Sequence, residues 1–402
     1  MTRTIRLGGT SYDMAWAWAG PHDKNASNLI LIAGGGGSGN TGIKNQVQVV
    51  KAKGKGDFEL VTQFVTDHDG HQRFCCGICS GGWEGASIVG VALGTHCLVL
   101  SLRFDEAQNK ASFTRLVEFA ADFAENDAGV NCCCITTSSD IATGGEDGVV
   151  RFWRLSNQCA SSSASAPTVS ATFECRGHAA PIMALQRHPS EPWVCSASKD
   201  GTCKIWNSQT GLLLADILAV SDGGANGATG STKSSSLTKM QCRGCCFSAD
   251  GTHLYTIQCG RVGSTILIKY LLIKGVKIDA APTMTAIAQK TVVANKNPST
   301  RLVISDSGDC IAVGCSTGLV QVFDATTLAK LFSGACHDDQ PVLGLAFAPQ
   351  AFSEMERTRC LFVTCSVDNL FSHTSIYPPT SILLYLLILI VLIGILLIHW
   401  IR

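Results

Sequence analysis

Three segments of this chain repeat one pattern, and such a repeat constrains the fold more than any other feature of the sequence. The segments are residues 141–155 (IATGGEDGVVRFWRL), 194–208 (VCSASKDGTCKIWNS) and 311–325 (IAVGCSTGLVQVFDA). Each has an apolar strand, a tight turn on Asp-Gly or Thr-Gly, and an alternating strand with an aromatic residue near its end. This order is the signal of a β-hairpin. The sequence therefore predicts an all-β protein built from repeated hairpin units.

Weaker copies of the pattern extend the repeat along the chain. They occur in residues 89–104, 245–272 and 360–377, and an N-terminal copy brings the count to seven units before residue 378. At about 50 residues per unit, seven four-stranded blades fit a closed propeller. The last unit shows only three strands. We therefore expect residues 4–7 to supply its fourth, outer strand and so close the ring.

The unit around residues 194–208 resembles a WD-repeat blade. His178 precedes Asp200 by 22 residues and Trp206 by 28. The resemblance implies a buried hydrogen-bonded chain of His178, Ser198, Asp200 and Trp206. A hydrolytic triad of the His, Ser and Asp is disfavoured, because the spacing belongs to a blade and no strained nucleophile turn accompanies it.

The C-terminus predicts a membrane anchor. Residues 382–398 read ILLYLLILIVLIGILLI and carry no charge. The Leu, Ile and Val residues each favour insertion by roughly 0.3–0.6 kcal/mol, which sums to about 5–9 kcal/mol. A buried core helix is disfavoured, because such a helix usually carries a polar stripe. The predicted fold is a seven-bladed WD-repeat β-propeller, residues 1–377, followed by one transmembrane helix within residues 378–402.

The start of the chain predicts on which side of the membrane the propeller lies. Residues 1–20 lack the apolar core and the cleavage site of a signal peptide. We therefore expect a single-pass C-terminal anchor with the N-terminal domain in the cytosol. Twenty cysteines, many of them adjacent, suit a reducing compartment. The shortness of the span suits a thin bilayer such as that of the endoplasmic reticulum.

Charge and cysteine spacing disfavour two other classes of site. The net charge is zero, so nucleic-acid binding is disfavoured. Cys76 and Cys79, like Cys242 and Cys245, have CxxC spacing. Zinc is nevertheless disfavoured, because residues three apart in a strand point to opposite faces.

A glycine-rich segment in the first unit is the candidate site, and it admits three interpretations. Residues 28–53 read NLILIAGGGGSGNTGIKNQVQVVKAK. A phosphate-binding P-loop over residues 34–41 would need a lysine where Asn40 stands. A dinucleotide fingerprint would use Gly37, Gly39 and Gly42. Both motifs open a helix, whereas the following IKNQVQVV alternates with the period of a strand.

The third interpretation is a long hairpin connection. Glycines permit a positive φ and close backbone approach, so such a loop can turn its carbonyl groups inward. Inward carbonyl groups suit a hard monovalent cation. This interpretation is favoured over the two nucleotide-binding motifs.

The sequence GGGGSGNTGIKN closely resembles the loop of the prolactin regulatory element-binding protein family, in which it reads GGGG-x-x-K-T-G-[IV]-x-N. The residues that match are Gly34, Gly35, Gly36, Gly37, Thr41, Gly42, Ile43 and Asn45, and Asn40 replaces the usual lysine. The family consists of tail-anchored propellers of the endoplasmic reticulum. The resemblance covers nearly the whole chain, including residues 142–155 and the Ser-Val-Asp of residues 366–368.

The resemblance implies a guanine nucleotide exchange factor, which does no covalent chemistry and is therefore not an enzyme in the ordinary sense. Its partner would be the small GTPase that initiates assembly of the COPII coat in ER-to-Golgi transport. The implied contact loop is Asn40, Thr41, Gly42, Ile43, Lys44 and Asn45. A potassium ion is implied as well, held by Gly36, Gly37, Gly39 and Asn45. The alternatives are a membrane-tethered WD-repeat scaffold without exchange activity and, less favoured, a transcription regulator.

Overall fold

The computed structural model describes residues 2–7, 9–18, 28–37, 42–67, 74–83, 86–137, 140–155, 169–217, 240–260, 264–273, 282–293 and 297–377. In these residues, 28 strands form seven four-stranded sheets. The pairings within every sheet are antiparallel. The predicted all-β, seven-bladed propeller is therefore confirmed.

Blades 1 to 3 follow one another along the chain. Their strands are β2 (Ser11–Trp16), β3 (Leu29–Gly34), β4 (Gln46–Gly54) and β5 (Asp57–Val65) in blade 1, β6 (Cys75–Trp83), β7 (Ala86–Leu93), β8 (His96–Asp105) and β9 (Lys110–Ala120) in blade 2, and β10 (Val130–Thr137), β11 (Asp140–Gly145), β12 (Val149–Arg154) and β13 (Ala171–Arg176) in blade 3.

Blades 4 to 7 continue the same order. Their strands are β14 (Ile182–Arg187), β15 (Trp193–Ser198), β16 (Cys203–Asn207) and β17 (Leu213–Ile217) in blade 4, β18 (Gln241–Phe247), β19 (His253–Cys259), β20 (Thr265–Ile273) and β21 (Thr283–Val293) in blade 5, β22 (Ser299–Ile304), β23 (Cys310–Cys315), β24 (Leu319–Asp324) and β25 (Lys330–Ala335) in blade 6, and β26 (Gly344–Phe347), β27 (Cys360–Cys365), β28 (Leu370–Ile376) and β1 (Thr2–Arg6) in blade 7. A short helix, α1 (Gln350–Met355), connects β26 to β27.

The N-terminal strand closes the ring, as the sequence predicts. The register of β1 and β28 runs from Thr2 opposite Thr374 to Arg6 opposite Leu370. Beyond the strand, the N–H of Leu7 donates to the carbonyl oxygen of Asn369 at 2.8 Å. The strand begins and ends slightly earlier than the expected residues 4–7. The first and last strands of the propeller thus pair in one blade, so the ring cannot open without loss of the pairing between β1 and β28.

A repeated bulge fixes the packing between neighbouring blades. In blades 1 to 6 the ladder between the third and fourth strands shifts by one residue just before a buried apolar side chain. The six side chains at this position are Val50, Leu100, Trp153, Trp206, Tyr270 and Phe323. A bulge bends the strand and increases its twist. The regular position of the bulge explains how sheets of different sequence pack into one ring.

The innermost strands of all seven blades line a central cavity of about 640 Å³. Its lining includes Trp16, Phe347 and Asp306, which lie at or just beyond the ends of β2, β26 and β22. Nearer the other ends of these strands, Arg301 forms an ion pair with Asp13 at 3.4 Å. Burial raises the pKa of Asp13, and the charge of Arg301 opposes this shift. The pair connects blade 6 to blade 1 near the beginnings of the inner strands.

The two faces of the propeller are defined by their connections. The N–H of Gly35 donates to the carbonyl oxygen of Thr10 at 2.8 Å, so the glycine-rich connection lies on the face where β2 begins. We call this the loop face. Strand β28 begins on the same face, beside Leu7, and ends at Ile376 on the opposite face. We call the opposite face the exit face. Seven residues of strand separate the two faces here by about 20 Å.

Of the described segments, none forms an apolar helix with the length that a bilayer crossing needs. The predicted transmembrane residues 382–398 lie outside the described residues.

Candidate functional site

The glycine-rich segment connects two strands of blade 1, as the hairpin interpretation predicts. Gly34 at the end of β3 pairs with Gln46 at the start of β4. A strand therefore follows the glycines, where a P-loop or a dinucleotide fingerprint would need a helix. Residues 35–45 make this the longest connection between the second and third strands of any blade. The structure describes residues 35–37 and 42–45, whereas Gly39, Asn40 and Thr41 lie outside the described residues.

Asn45 closes the base of this loop with its side-chain amide. Its Oδ1 accepts a hydrogen bond from the N–H of Gly37 at 3.0 Å, and its Nδ2 donates to the carbonyl oxygen of Gly37 at 2.9 Å. One amide thus pairs with both backbone groups of one residue on the other side of the loop. Asn45 is fully buried. The side chain therefore braces the loop rather than extending from it.

Asp67, in the connection between blades 1 and 2, holds Asn45 in place. Its Oδ2 accepts from the backbone N–H of Asn45 at 3.0 Å, and its Oδ1 accepts from the side-chain Nδ2 at 3.1 Å. The carbonyl oxygen of Asn45 accepts in turn from the N–H of Thr66 at 2.9 Å. Hydrogen bonds to a carboxylate are stronger than those between neutral groups. The base of the loop is therefore fastened to the seam between two blades.

Gly35 is required at its position by conformation and by space. Its φ of 140° lies in the region that side chains rarely adopt. A Cβ there would collide with the Cα of Asn45 and lie 2.6 Å from its Oδ1. Gly37 also has a positive φ, of 74°. These glycines let the two sides of the loop approach closely enough for the amide of Asn45 to bridge them.

A polar and aromatic platform supports the loop from below. The hydroxyl of Thr10 donates to the carbonyl oxygen of Gly35, and it lies 3.1 Å from the hydroxyl of Tyr12. The ring of Tyr12 packs edge-on against Phe74 with centroids 4.3 Å apart. Sequence analysis did not identify Thr10, Tyr12, Phe74 or Asp67 as site residues. They lie in strand β2 and in connections that are distant from the glycines in sequence, and no local signal marks them.

The described part of the loop tip is exposed. Gly42, Ile43 and Lys44 are all exposed, and the side chain of Ile43 keeps 40% of its surface accessible. Ile43 lies close to the backbone of Gly9, because a Cβ added there would approach its Cγ2 to 3.3 Å. The fold therefore presents one apolar and one cationic side chain side by side above a braced base.

Of the predicted potassium ligands, Gly36, Gly37 and Asn45 lie within the described residues, and Gly39 lies outside them. The carbonyl oxygen of Gly37 accepts a hydrogen bond from Nδ2 of Asn45, and Oδ1 of Asn45 accepts one from the N–H of Gly37. Among the described residues there is no group of three or more His, Cys, Asp or Glu side chains arranged for a metal. In this part of the chain, order at the loop base comes from Asn45 and Asp67.

Blade 4 contains the predicted WD-type chain, with one correction. Nδ1 of His178 lies 3.1 Å from Oδ2 of Asp200, and its Nε2 lies 2.7 Å from the hydroxyl of Ser196. The indole N–H of Trp206 donates to the same hydroxyl at 2.8 Å. The prediction of Ser198 for this place was wrong. Ser198 ends its strand and donates instead to the carbonyl oxygen of Ala180 at 2.9 Å.

These groups stabilise the blade and show no features of a hydrolytic site. Burial lowers the pKa of His178, and the charge of Asp200 opposes this shift. Burial would raise the pKa of Asp200, but hydrogen bonds from Thr202 and Ala179 hold it at about 2. The hydroxyl of Ser196 is fully buried between the imidazole and the indole.

Blade 7 contains a second chain of the same kind that sequence analysis missed. Nδ1 of His337 lies 2.8 Å from Oδ2 of Asp368, and its Nε2 lies 3.0 Å from Oγ1 of Thr364. Cys336 precedes the histidine where the first chain has a glycine, and Thr374 occupies the position that corresponds to the tryptophan of the first chain. The signal that could have found it is the spacing from His337 to the Asp of the Ser-Val-Asp segment.

Comparison with known proteins agrees with this architecture. The WD domain, G-beta repeat family matches residues 118–154 and 169–207. Sqt1 from Chaetomium thermophilum superposes with a TM-score of 0.59 at 16% identity, over 93% of this chain and 83% of that one. The Chaetomium thermophilum Sqt1 bound to the N-terminus of the ribosomal protein L10 gives a TM-score of 0.59 at 15% identity, over 91% of this chain and 85% of that one. A search of proteins with curated functions found no match. The chain is therefore a seven-bladed β-propeller in which two segments match the WD40 repeat.

Proposed function

We propose that this protein is a guanine nucleotide exchange factor for the small GTPase of the COPII coat, and that residues 40–45 act on the nucleotide pocket. The observation that carries the proposal is the combination of a family-like glycine loop with the geometry of its base. Asn45 and Asp67 fasten the loop, while Ile43 and Lys44 remain exposed at its tip. A propeller fold alone indicates no particular function.

An exchange factor works by differential binding. It binds the nucleotide-free GTPase more tightly than the GDP-bound form, and by linkage it weakens GDP by the same factor. A loop that is ordered before binding loses less conformational entropy on contact, so more of its contact energy remains for this difference. The amide of Asn45 supplies that order through its paired bonds to Gly37.

The described tip residues would act by contact. Ile43 would pack against apolar surface near the switch regions of the GTPase, and Lys44 would compete for negative charge in the phosphate and magnesium site. Asn45 would act through the loop that it braces, because its own side chain is buried. Gly42, with a φ of 76°, would let the chain turn at the tip.

Potassium remains part of the proposal as an ion that backbone oxygens bind. The described oxygens of Gly36, Gly37 and Asn45 would need further donors from Gly39 and its neighbours. When bound, the ion would add positive charge and rigidity inside the loop. The roles given above to Asn45, Ile43 and Lys44 do not depend on it.

The proposed location is the endoplasmic reticulum membrane, with residues 378–402 as a single-pass anchor and the propeller in the cytosol. Tyr377, the last described residue, follows β28 on the exit face, whereas the glycine loop lies on the loop face. The proposal therefore has the GTPase engage the face that is turned away from the chain exit.

The test measures the release of fluorescent GDP from the COPII small GTPase by the full chain in liposomes. The wild-type chain should accelerate release, and the Ile43→Ser, Lys44→Ser double variant should lose at least about tenfold of that acceleration, equivalent to about 1.4 kcal/mol. Each assay is run in potassium and in sodium buffer.

A control variant replaces an exposed apolar residue by serine elsewhere on the surface. Leu212→Ser alters an exposed apolar residue in the connection before β17 of blade 4 and should leave release unchanged. No acceleration by the folded wild-type chain would contradict exchange activity and favour the tethered scaffold.

A further inference from the structure

The outer edge of blade 5 differs from the outer edges of the other blades. Its strand β21 has 11 residues, Thr283–Val293, and Lys290 is its one charged residue. Most of its described side chains are exposed, including Ile287 at 49%. Among the described strands, none pairs with its outer side. Such an edge offers a row of free backbone donors and acceptors to another strand.

The outer strand of blade 2 makes the contrast clear, because β9 is equally long. It carries Lys110, Arg115 and Glu118, and the last two form an ion pair. Charged side chains on an edge oppose pairing with another chain. The shorter outer strands also carry charges, and four of these charges belong to the ion pairs Lys53–Glu59, Arg176–Glu174 and Lys204–Asp216. Of the two longest outer strands that the structure describes, β21 of blade 5 thus has the lower density of charge.

The sequence of β21 is compatible with pairing to itself. In an antiparallel pair centred on Ile287, Thr283 faces Thr291, Met284 faces Lys290, and Thr285 faces Gln289. No like charges face each other, and β-branched residues occupy the centre and both ends. A β9 pair centred on the middle residue of that strand would place Arg115 opposite its own copy, which is unfavourable. Self-complementarity is what a two-fold symmetric contact requires.

Ile287 is also the residue at which the ladder to β20 shifts. Tyr270 pairs with Ala286 and Lys269 with Ala288, so Ile287 is skipped. Its exposed side chain therefore marks the centre of the free edge, with paired stretches of β21 on either side. Ile273, at the end of β20, is a second exposed apolar residue, 52% accessible, beside Thr283.

We propose that β21 is a homodimerisation edge, at which two copies of this chain pair blade 5 to blade 5 as antiparallel strands. The inference is independent of the proposed exchange activity. It concerns a blade other than the one that carries the glycine loop. The small area of an edge contact makes the dimer weak and dependent on concentration.

The test uses the full chain in mild detergent, with its mass followed by light scattering over about a hundredfold range of concentration. The wild-type chain should approach twice the monomer mass at high concentration. Ile287→Lys and Ile287→Asp should each remain monomeric, with the dissociation constant raised at least about tenfold. A mixture of the two variants should restore the dimer, because opposite charges then face each other.

The matched control is Thr114→Lys, at an exposed position on β9. It should dimerise as the wild-type chain does. A wild-type chain that stays monomeric, or lysine and aspartate variants that each dimerise like the wild type, would overturn the proposal. If both variants lose the dimer and their mixture does not recover it, edge pairing is also contradicted. The loss would then follow from adding any charge at this position and not from like charges facing each other.

Discussion

Blades 1 and 4 use polar side chains on the same face of the propeller for different purposes. In blade 4, His178 and Asp200 connect a short turn to the preceding loop, and Ser196 carries the contact into the core. In blade 1, Asn45 and Asp67 connect a long loop to the following one. Both arrangements join a connection within one blade to a connection between blades.

The difference lies in what remains outside the network. In blade 4 the strands resume at Cys203, so the polar groups serve the blade itself. In blade 1 the connection runs from residue 35 to residue 45, and the hydrogen bonds between Asn45 and Gly37 join its two ends. Bracing residues at both ends of an enlarged connection are what the proposed contact loop requires.

The largest effect on the free energy of unfolding is expected from a substitution at the base of the loop in blade 1. Gly35→Ala should lower the free energy of unfolding by about 3 kcal/mol, because a Cβ collides with Asn45 at a φ of 140°. Gly42→Ala is the control, since its φ is also positive but nothing lies within 4 Å of the added Cβ. It should cost about 1 kcal/mol. Denaturant titration measures both, and equal costs would contradict the described packing of the base.

The next largest effect on stability is expected in the hydrogen-bonded chain of blade 4. Ser196→Ala removes one hydroxyl that serves both His178 and Trp206, and should cost about 2 kcal/mol. Ser198→Ala removes the hydrogen bonds to the carbonyl oxygen of Ala180 and from the backbone N–H of Asp200, both local to the turn, and should cost about 1 kcal/mol. Thermal unfolding measures both losses. A larger loss from Ser198→Ala would favour the assignment of Ser198 to the hydrogen-bonded chain of blade 4.

These serines also show how far sequence alone reaches. Repeat spacing predicted the blade count and the closing strand, because both follow from local hairpin signals. It could not choose between Ser196 and Ser198, since that choice depends on which hydroxyl the indole of Trp206 reaches across the ladder. The brace of the loop was harder still. Asp67 is 22 residues from Asn45, and only the folded blade brings the two together.

A smaller effect should appear as a dependence of stability on pH. Burial lowers the pKa of His178 in the folded state below its ordinary value of 6.5. Unfolding then takes up a proton, so the contribution of this group is complete above pH 6.5 and declines as the pH falls below it. One proton gives a slope of at most about 1.4 kcal/mol per pH unit. Unfolding titrations between pH 7.5 and about 5 should show a shallower slope in His178→Gln, and an identical slope would assign the dependence to other groups.

The smallest effect on stability is expected at the loop tip. Ile43→Ser and Lys44→Ser change exposed side chains outside the brace, so each should alter the free energy of unfolding by less than about 0.5 kcal/mol. A larger loss would mean that the tip takes part in the fold, and the contrast with blade 4 would then be weaker than described.

GDP release is the most direct measure of whether the braced loop is an exchange device. The account predicts that the wild-type chain accelerates release from the COPII small GTPase, and that the double variant Ile43→Ser, Lys44→Ser retains its full stability but loses at least about tenfold of the acceleration. Unchanged release by this folded double variant would contradict the account.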